Sequence, residues 1–186
     1  RPDDFIVSGS SGAAIEIFLL AYRVTGGQRV FVTSGLGSMG YGLPAAIGAC
    51  LAGDRRRTVC VEGDGSLQLN SQELATLARL QLPVKLFVLN NDGYSSIRTS
   101  QMRYFGITVG CDPQSGLVLP DTVGLAKAYG LPTATIDSQQ DLETQLRAVL
   151  EGSGPIVCDV KVPRDEIRAP SLASSRRSDG SMVSRP

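Results

Sequence analysis

The chain has 186 residues, which is enough for one well-buried domain and short for two. Its 18 Lys and Arg residues balance its 18 Asp and Glu residues, so the charge does not indicate a nucleic acid or an anionic membrane as a partner. Histidine is absent from the sequence, which excludes histidine-based triads and histidine metal sites within it. The four cysteines lack CxxC spacing and no apolar run approaches a membrane span, so we expect a reduced, cytoplasmic protein.

The first third of the chain alternates short apolar runs with helical patterns. These predict a strand at residues 5–7, a helix at 13–24 and a second strand at 30–32. A glycine-rich loop follows at residues 34–42. Pro44 is then well placed in the first turn of a helix whose small residues allow close packing against a sheet.

The middle of the chain has the pattern of a strand, a helix and a parallel strand. Residues 58–61 and 84–89 are apolar without clean alternation, which is typical of strands buried on both faces. Asn70 is the predicted N-cap of the helix between them, and Glu73 completes a capping box. Such a unit places the carboxyl ends of both strands at one edge of the sheet, where open α/β sheets bind ligands.

The remaining pattern continues the alternation of helices and strands. A helix is predicted to begin at Tyr94, residues 102–120 form a long connection, and Asp121 caps a further helix. Three more elements are predicted, a strand at 133–136, a helix at 138–150 and a strand at 156–162.

This alternation predicts one three-layer α/β/α domain with a mostly parallel sheet over residues 1–162. From Pro163 the periodicity disappears. Residues 163–186, rich in Arg, Ser, Pro and Gly, are therefore interpreted as an extended C-terminal tail.

Polar side chains follow the two central strands at the ligand-binding edge. Asp64 offers a carboxylate oxygen, Asn91 an amide oxygen, and the turn at Gly93 can present a backbone carbonyl. Such oxygens suit Mg²⁺ or Ca²⁺, and Mg²⁺ usually completes its octahedron with phosphate oxygens and water. The N–H groups of Gly65 and Ser66 can face an anion. The residues therefore predict a site for a metal and a diphosphate.

The glycine-rich loop also allows a different interpretation. Gly35, Gly37 and Gly40 form a literal G-x-G-x-x-G, and Glu62 closes a strand about twenty residues later, as in NAD(P)-binding Rossmann domains. In such domains the helix opens within the glycine motif, whereas here Pro44 postpones it. Dinucleotide binding by a dehydrogenase domain remains an alternative.

The motif carrying these residues resembles that of a known family. The segment GDGSLQLNSQELATLARLQLPVKLFVLNNDGY is similar to the acetolactate-synthase-like branch of the thiamine-diphosphate-dependent enzymes. The resemblance implies that Asp64, Asn91 and the Gly93 carbonyl hold Mg²⁺. The segment GLGSMGYGLPAAIGA is similar to the loop that holds the aminopyrimidine of the cofactor, which implies an acceptor at the Gly37 carbonyl and an apolar wedge at Met39.

The resemblance further implies the composition of the site and its missing part. The implied residues of the cofactor site are Gly37, Ser38, Met39, Gly63, Asp64, Gly65, Ser66, Asn91, Gly93 and Tyr94. In the family the catalytic glutamate lies on a separate pyrimidine-binding domain, usually of a partner subunit. We therefore expect no catalytic residue in this chain, a homo-oligomeric enzyme, and no activity of the chain alone.

The activity implied by the resemblance is the decarboxylation of a 2-keto acid and its ligation to a second carbonyl compound. Biosynthetic members typically carry a tryptophan shortly after the Asn pair, where this chain has residues 98–102 and no tryptophan. The acceptor substrate is therefore open, and a related lyase is an alternative. A non-catalytic module that binds thiamine compounds is another.

Overall fold

The computed structural model describes residues 1–10, 12–164 and 173–185. Its centre is a six-stranded sheet with the order β2-β1-β3-β4-β6-β5, in which every pairing is parallel. The strands are β1 (Phe5–Ser8), β2 (Arg29–Phe31), β3 (Thr58–Gly63), β4 (Val84–Asn90), β5 (Thr133–Ile136) and β6 (Ile156–Lys161).

Helices connect these strands and cover the sheet, which confirms the predicted three-layer α/β/α fold. They are α1 (Gly12–Ala21), α2 (Gly42–Ala52), α3 (Asp64–Leu67), α4 (Glu73–Leu80), α5 (Ser95–Phe105), α6 (Thr122–Ala128) and α7 (Leu142–Glu151). Short 3₁₀ turns lie at Gln68–Asn70 and Pro113–Ser115. In the part of the chain that the structure describes, no helix has the length and apolar character needed to cross a membrane.

The sheet is buried on both faces, which explains why the central strands lack alternation. Along β4, Leu86 and Val88 belong to a large core with α2, α4 and α6, whereas Phe87 belongs to a second core with α7. Successive side chains of a strand point to opposite faces. A strand covered twice must therefore be apolar at nearly every position.

The strand order reverses beside β1, and this reversal positions the site. The chain runs from β1 to β2 on one side, and β3 then returns to pair with the other side of β1. Ligands of doubly wound sheets bind at such a switch point, beyond the carboxyl ends of the strands. Here that point lies between the loop after β1 and the loop after β3.

The predicted capping box of α4 is wrong. The N-cap residue of α4 is Gln72, without a side-chain hydrogen bond, and Asn70 lies in the 3₁₀ turn that continues from α3. Helical backbone therefore runs almost unbroken from Asp64, so Asn70 has no free helix end to cap. Its amide instead donates to the carbonyl of Gly40 at 2.8 Å.

Two other predictions have different outcomes. The cap at Asp121 is confirmed, because its carboxylate accepts a hydrogen bond from the Gly124 N–H. The connection predicted at residues 102–120 is shorter, since α5 extends to Phe105. It also contains the turn at Pro113–Ser115, which Asp112 caps with a reciprocal capping box.

The C-terminal residues that the structure describes form a separate element. Strands β7 (Ala173–Arg176) and β8 (Met182–Arg185) pair antiparallel in a sheet of their own. Residues 165–172 of the predicted tail lie outside the described residues. The domain boundary proposed at residue 162 stays a prediction.

Candidate functional site

A cleft of about 290 Å³ lies at the carboxyl ends of β1, β3 and β4. Strands β3 and β4 are direct neighbours in the sheet, with Gly63 opposite Leu89, as the predicted unit of strand, helix and strand requires. Eight of the ten residues implied by the resemblance line this cleft: Met39, Gly63, Asp64, Gly65, Ser66, Asn91, Gly93 and Tyr94.

The carboxylate of Asp64 is fixed by backbone N–H groups of two loops. It is 4% exposed; Oδ1 accepts from the Gly65 N–H at 2.8 Å, and Oδ2 accepts from the Gly93 N–H at 2.9 Å. Burial raises the pKa of Asp64, while these N–H groups act in the opposite direction. Each carboxylate oxygen keeps a further lone pair, so this side chain can still bind a cation.

The side-chain oxygen of Asn91 makes no hydrogen bond to the described residues. This atom, Oδ1, is buried. An unsatisfied buried acceptor costs about 1–3 kcal/mol, and such atoms are uncommon in folded proteins. Because Asn91 lines the same cleft as Asp64, a cation bound there would satisfy this oxygen.

Gly93 has a backbone that requires glycine. Its φ is +131°, and a Cβ built there would lie 2.2 Å from the carbonyl oxygen of Cys111. The next residue, Tyr94, donates its N–H to the same carbonyl at 2.8 Å. The turn after β4 is therefore packed directly against the segment at Cys111.

The donor set fits Mg²⁺ that also carries a phosphate group. No cluster of three or more His, Cys, Asp or Glu side chains able to hold a metal occurs in the described parts of the chain. Asp64 would be the charged ligand, together with an amide oxygen of Asn91 and a backbone carbonyl of Gly93. Mg²⁺ is typically bound by one or two carboxylates and completes its shell with phosphate oxygens and water.

The glycine-rich loop reaches the cleft at Met39, which is 37% exposed. Gly37 adopts a φ of +66° and donates its N–H to the Thr33 carbonyl at 2.8 Å. The Ser38 carbonyl accepts a hydrogen bond from the Ser10 hydroxyl. Gly37 and Ser38 are not among the residues that line the cleft.

The sequence did not predict that the N-termini of two helices lie at the cleft. Ser10 and the first residues of α1, Gly12 to Ala14, line the cleft, as do Ser95 to Ile97 at the start of α5. The positive end of the helix dipole at an N-terminus favours an anion. Glycine and serine directly after the β1 strand were the signal that could have identified the first group.

The environment of Glu62 contradicts the dinucleotide alternative. A ribose-binding acidic residue must face its ligand, whereas Glu62 is 0% exposed and does not line the cleft. Its Oε2 accepts from the Gly42 N–H at 2.8 Å, and its Oε1 accepts from the Gly63 N–H at 3.0 Å. Burial raises the pKa of this carboxyl. The Glu62 carboxylate therefore accepts hydrogen bonds from the backbone of this chain and does not face a ligand in the cleft.

Comparison with known proteins identifies the domain. The family model described as thiamine pyrophosphate enzyme, C-terminal TPP binding domain, matches residues 9–160. An acetolactate synthase large subunit from Pyropia yezoensis is 37% identical over 144 residues, covering 77% of this chain and 24% of the relative. The large subunit of acetolactate synthase isozyme 1 from Escherichia coli K12 is 33% identical over 146 residues, covering 78% of this chain and 26% of the relative.

A plant protein gives the same result. Acetolactate synthase 2, chloroplastic, from Zea mays is 34% identical over 147 residues, which covers 76% of this chain and 23% of the relative. The chain thus spans about a quarter of the length of the curated relatives it matches. These findings confirm the resemblance and exclude the Rossmann dehydrogenase interpretation. The chain belongs to the thiamine pyrophosphate enzymes, in which it corresponds to the C-terminal cofactor-binding domain of acetolactate-synthase-like members.

Proposed function

We propose that this chain binds the diphosphate end of thiamine diphosphate through Mg²⁺, as part of an acetolactate-synthase-like enzyme that decarboxylates a 2-keto acid and ligates it to a second carbonyl compound. The observation that carries the proposal is the buried Asn91 Oδ1, without a hydrogen-bond partner among the described residues, in the same cleft as Asp64. Both residues follow neighbouring strands, and both supply oxygen donors.

In this proposal Asp64, Asn91 and the Gly93 carbonyl hold the metal. The hydrogen bond between Asp64 and the Gly93 N–H joins two of these residues directly. The ligands are thereby preorganised, which reduces the ordering that binding requires. Asp64 would supply the negative charge of the protein ligands, and the diphosphate would supply the remaining negative charge around Mg²⁺.

Several features near the metal ligands support an anion. The first residues of α1 and α5 bring helix N-termini to the cleft. Gly65 leaves room for the Tyr94 ring beside the cleft, since a Cβ there would lie 2.4 Å from Cε1 of Tyr94. We assign the diphosphate contacts to the backbone around Gly63, Gly65 and Ser66, with Tyr94 packed beside them.

The other end of the cofactor is assigned to the glycine-rich loop. Met39 lies at the cleft and would support the bent conformation. The carbonyl of Gly37, two residues earlier in the loop and outside the cleft lining, would accept from the aminopyrimidine. When bound, thiamine diphosphate supplies the carbon nucleophile for addition to a 2-keto acid such as pyruvate. The residues of this chain bind and orient it.

Catalysis needs a further group, which we place outside this chain. A glutamate on a pyrimidine-binding domain, contributed by a partner subunit of a homo-oligomer, would hold the proton at the aminopyrimidine ring. Several relatives are named as large subunits, which supports an enzyme composed of more than one subunit. The acceptor substrate is left open, because residues 98–102 lack the tryptophan of biosynthetic members.

We also propose a reducing compartment, the cytoplasm, for this protein. All four cysteines are free and buried thiols, as is usual for proteins of reducing compartments. The maize relative is named chloroplastic.

The metal-binding part of the proposal is tested by calorimetric titration of the full-length protein. Thiamine diphosphate is titrated with Mg²⁺ and again with EDTA in its place, and NADH serves as the control ligand. We expect binding of thiamine diphosphate that depends on Mg²⁺, and no binding of NADH. Binding that is equal with and without Mg²⁺ would contradict the metal assignment.

The catalytic part of the proposal needs a separate assay. Release of carbon dioxide from pyruvate by the full-length protein, with the cofactor and Mg²⁺, is the expected result. Cofactor binding without turnover of any 2-keto acid would favour a non-catalytic module that binds thiamine compounds.

A further inference from the structure

The buried carboxylate of Glu62 has no role in the chemistry proposed above. It lies at the end of β3, two residues before Asp64, and is 0% exposed. Burying a carboxylate is costly unless its oxygens are hydrogen-bonded. The identity of its partners therefore indicates what the residue does.

Glu62 joins the glycine-rich loop to the Asp64 loop. Its two oxygens accept from the N–H groups of Gly42 and Gly63 at 2.8 and 3.0 Å, so this carboxylate ties the end of the glycine-rich loop to the residue before Asp64. The Ser66 Oγ accepts from the Gly40 N–H at 2.9 Å. We call Glu62, Ser66, Gly40 and Gly42 the Glu62 clasp.

Met39 lies between two anchored neighbours. On one side, the Gly40 N–H donates to Ser66 as part of the clasp, and its carbonyl accepts from Asn70 at 2.8 Å. On the other side, the Ser38 carbonyl accepts from the Ser10 hydroxyl. Side chains from the loops after β1 and β3 thus determine where Met39 lies.

The steric fit around Glu62 is an independent observation. A Cβ on Gly42 would lie 2.3 Å from Oε2, and a Cβ on Gly9 would lie 2.1 Å from Oε1. Both glycines therefore leave room for the carboxylate. The close packing of the Glu62 carboxylate therefore depends on Gly9, Gly42 and Glu62 together, which lie in three different parts of the chain.

We propose that Glu62 is a positioning residue that, through the clasp, sets the placement of Met39 relative to Asp64 and so aligns the aminopyrimidine end of the cofactor with its metal-bound diphosphate end. This inference rests on the proposed function, since it requires a cofactor that spans the cleft. Glu62 does not line the cleft. It therefore acts through the two loops and not by contact with the ligand.

The test uses the full-length protein and Glu62→Gln. Glutamine has almost the same shape, but its amide nitrogen cannot accept an N–H, so one anchor of the clasp is lost. Calorimetry measures the affinities for Mg²⁺ with thiamine diphosphate and for Mg²⁺ with pyrophosphate. We expect the first affinity to fall about tenfold or more and the second to stay within about twofold, because pyrophosphate needs the proposed metal ligands but not the glycine-rich loop.

A second measurement does not depend on any ligand. Hydrogen exchange of the ligand-free protein should become faster at residues 36–42 in Glu62→Gln, while β4 exchanges at the wild-type rate. If Glu62→Gln yields no folded protein, the same exchange measurement on Ser66→Ala tests the clasp, because the Ser66 Oγ accepts the hydrogen bond from the Gly40 N–H.

The matched control is Asp4→Asn. Asp4 is also buried, at the amino end of β1, and its carboxylate accepts from Arg57 Nε at 2.8 Å. Its variant should leave both affinities and the exchange of residues 36–42 unchanged. A variant of Glu62 that weakens both ligands equally, or that leaves the exchange at Gly42 unchanged, overturns the inference.

Failure of the proposed function gives a different pattern. It appears in the wild-type protein, which would then bind thiamine diphosphate no better than pyrophosphate. That result removes both the proposed function and the inference. Loss of selectivity in Glu62→Gln alone supports both.

Discussion

Asp64 Oδ2 accepts a hydrogen bond from the Gly93 N–H at 2.9 Å, so the loops after two neighbouring strands are joined at the proposed metal site. The pair explains why a motif in two parts, about one unit of strand, helix and strand apart, can act as one site. The parallel pairing of β3 and β4 brings both carboxyl ends to the same edge.

Removal of the Asp64 carboxylate should abolish tight metal-dependent binding. We expect Asp64→Ala to weaken Mg²⁺-dependent binding of thiamine diphosphate by at least about tenfold, because the charged ligand is lost while the diphosphate stays anionic. Titration calorimetry of the full-length protein measures this. Asp4→Asn is the control, since it removes a buried carboxylate at the amino end of β1, away from the cleft. An unchanged affinity of Asp64→Ala would refute the assignment.

Alanine substitutions of Asn91 and Asn90 should differ in their effects, the first on metal binding and the second on stability. Asn91→Ala should weaken Mg²⁺-dependent binding about tenfold and should not lower the free energy of unfolding by more than about 1 kcal/mol, because Oδ1 has no hydrogen bond to lose among the described residues. Asn90 hydrogen-bonds to Asp159 at 3.0 Å and to the Asp92 N–H at 3.2 Å.

Asn90→Ala should therefore lower the free energy of unfolding by about 1–2 kcal/mol and leave metal-dependent binding within about twofold. Urea denaturation and calorimetry on the same samples measure both quantities. The assignment of Asn91 fails if its variant loses stability and keeps its affinity for the metal and cofactor.

Gly93 should tolerate no side chain. The strained φ of +131° and the close Cys111 carbonyl predict that Gly93→Ala lowers the free energy of unfolding by about 2–4 kcal/mol. Gly48→Ala is the matched control, because Gly48 lies within α2, and an added Cβ would have no atom of another described segment within 4 Å. The control should stabilise by up to about 1 kcal/mol. Urea denaturation distinguishes them, and equal stabilities would contradict the structure of this turn.

Asp112 should make the stability of the chain depend on acid pH. A hydrogen bond from the Ser115 hydroxyl, and then one from Arg164, lower the pKa of Asp112 from 3.8 to about 2. Between these two values the unfolded chain binds more protons at this group than the folded chain does. The stability that the group contributes is therefore complete above pH 4 and is lost as the pH falls towards 2.

The variant Asp112→Asn tests this dependence. Its melting temperature should lie below that of the wild type at pH 7, and the difference should be smaller at pH 3. Asp121→Asn is a control, because Asp121 is an exposed helix cap on another element. A difference that is the same at both pH values would show that the charge of Asp112 is not responsible.

The 186-residue chain by itself should fold but not catalyse. The two cores on the faces of the sheet are sufficient for folding, whereas the proposed catalytic glutamate belongs to another domain. Carbon dioxide release from pyruvate with thiamine diphosphate and Mg²⁺ is the measurement, and the full-length protein is the positive control. Turnover on the order of 1 s⁻¹ or above by the chain alone would place the acid–base group within it.

Much of the fold could be predicted from the sequence because its signals are local. The apolar runs of β3 and β4, the proline at Pro44 and the cap at Asp121 each act within a few residues, and the structure contains all of them. The motif residues Asp64 and Asn91 could be assigned to one edge of the sheet because a parallel unit of strand, helix and strand leaves no other arrangement.

Contacts between distant segments could not be predicted, since pattern carries no information about which loops meet. Asn70 was predicted to cap a helix, but its amide bonds to Gly40, thirty residues away. Lys85 lies in an apolar run and is 1% exposed, and only the tertiary structure shows that its ammonium donates to the carbonyls of Gly152 and Gly154.

The sequence by itself determined the six strands of the parallel sheet, their alternation with helices, and the chemical identity of the donors at Asp64 and Asn91, but not the strands β7 and β8 in the predicted tail. The tertiary structure alone decided that Ser10 reaches the Ser38 carbonyl and that Glu62 reaches the Gly42 N–H. The physical reason is that a hydrogen bond between loops depends on the sheet order, which places the loops after β1 and β3 side by side. The helix and strand propensities of short segments do not determine the order of strands in the sheet.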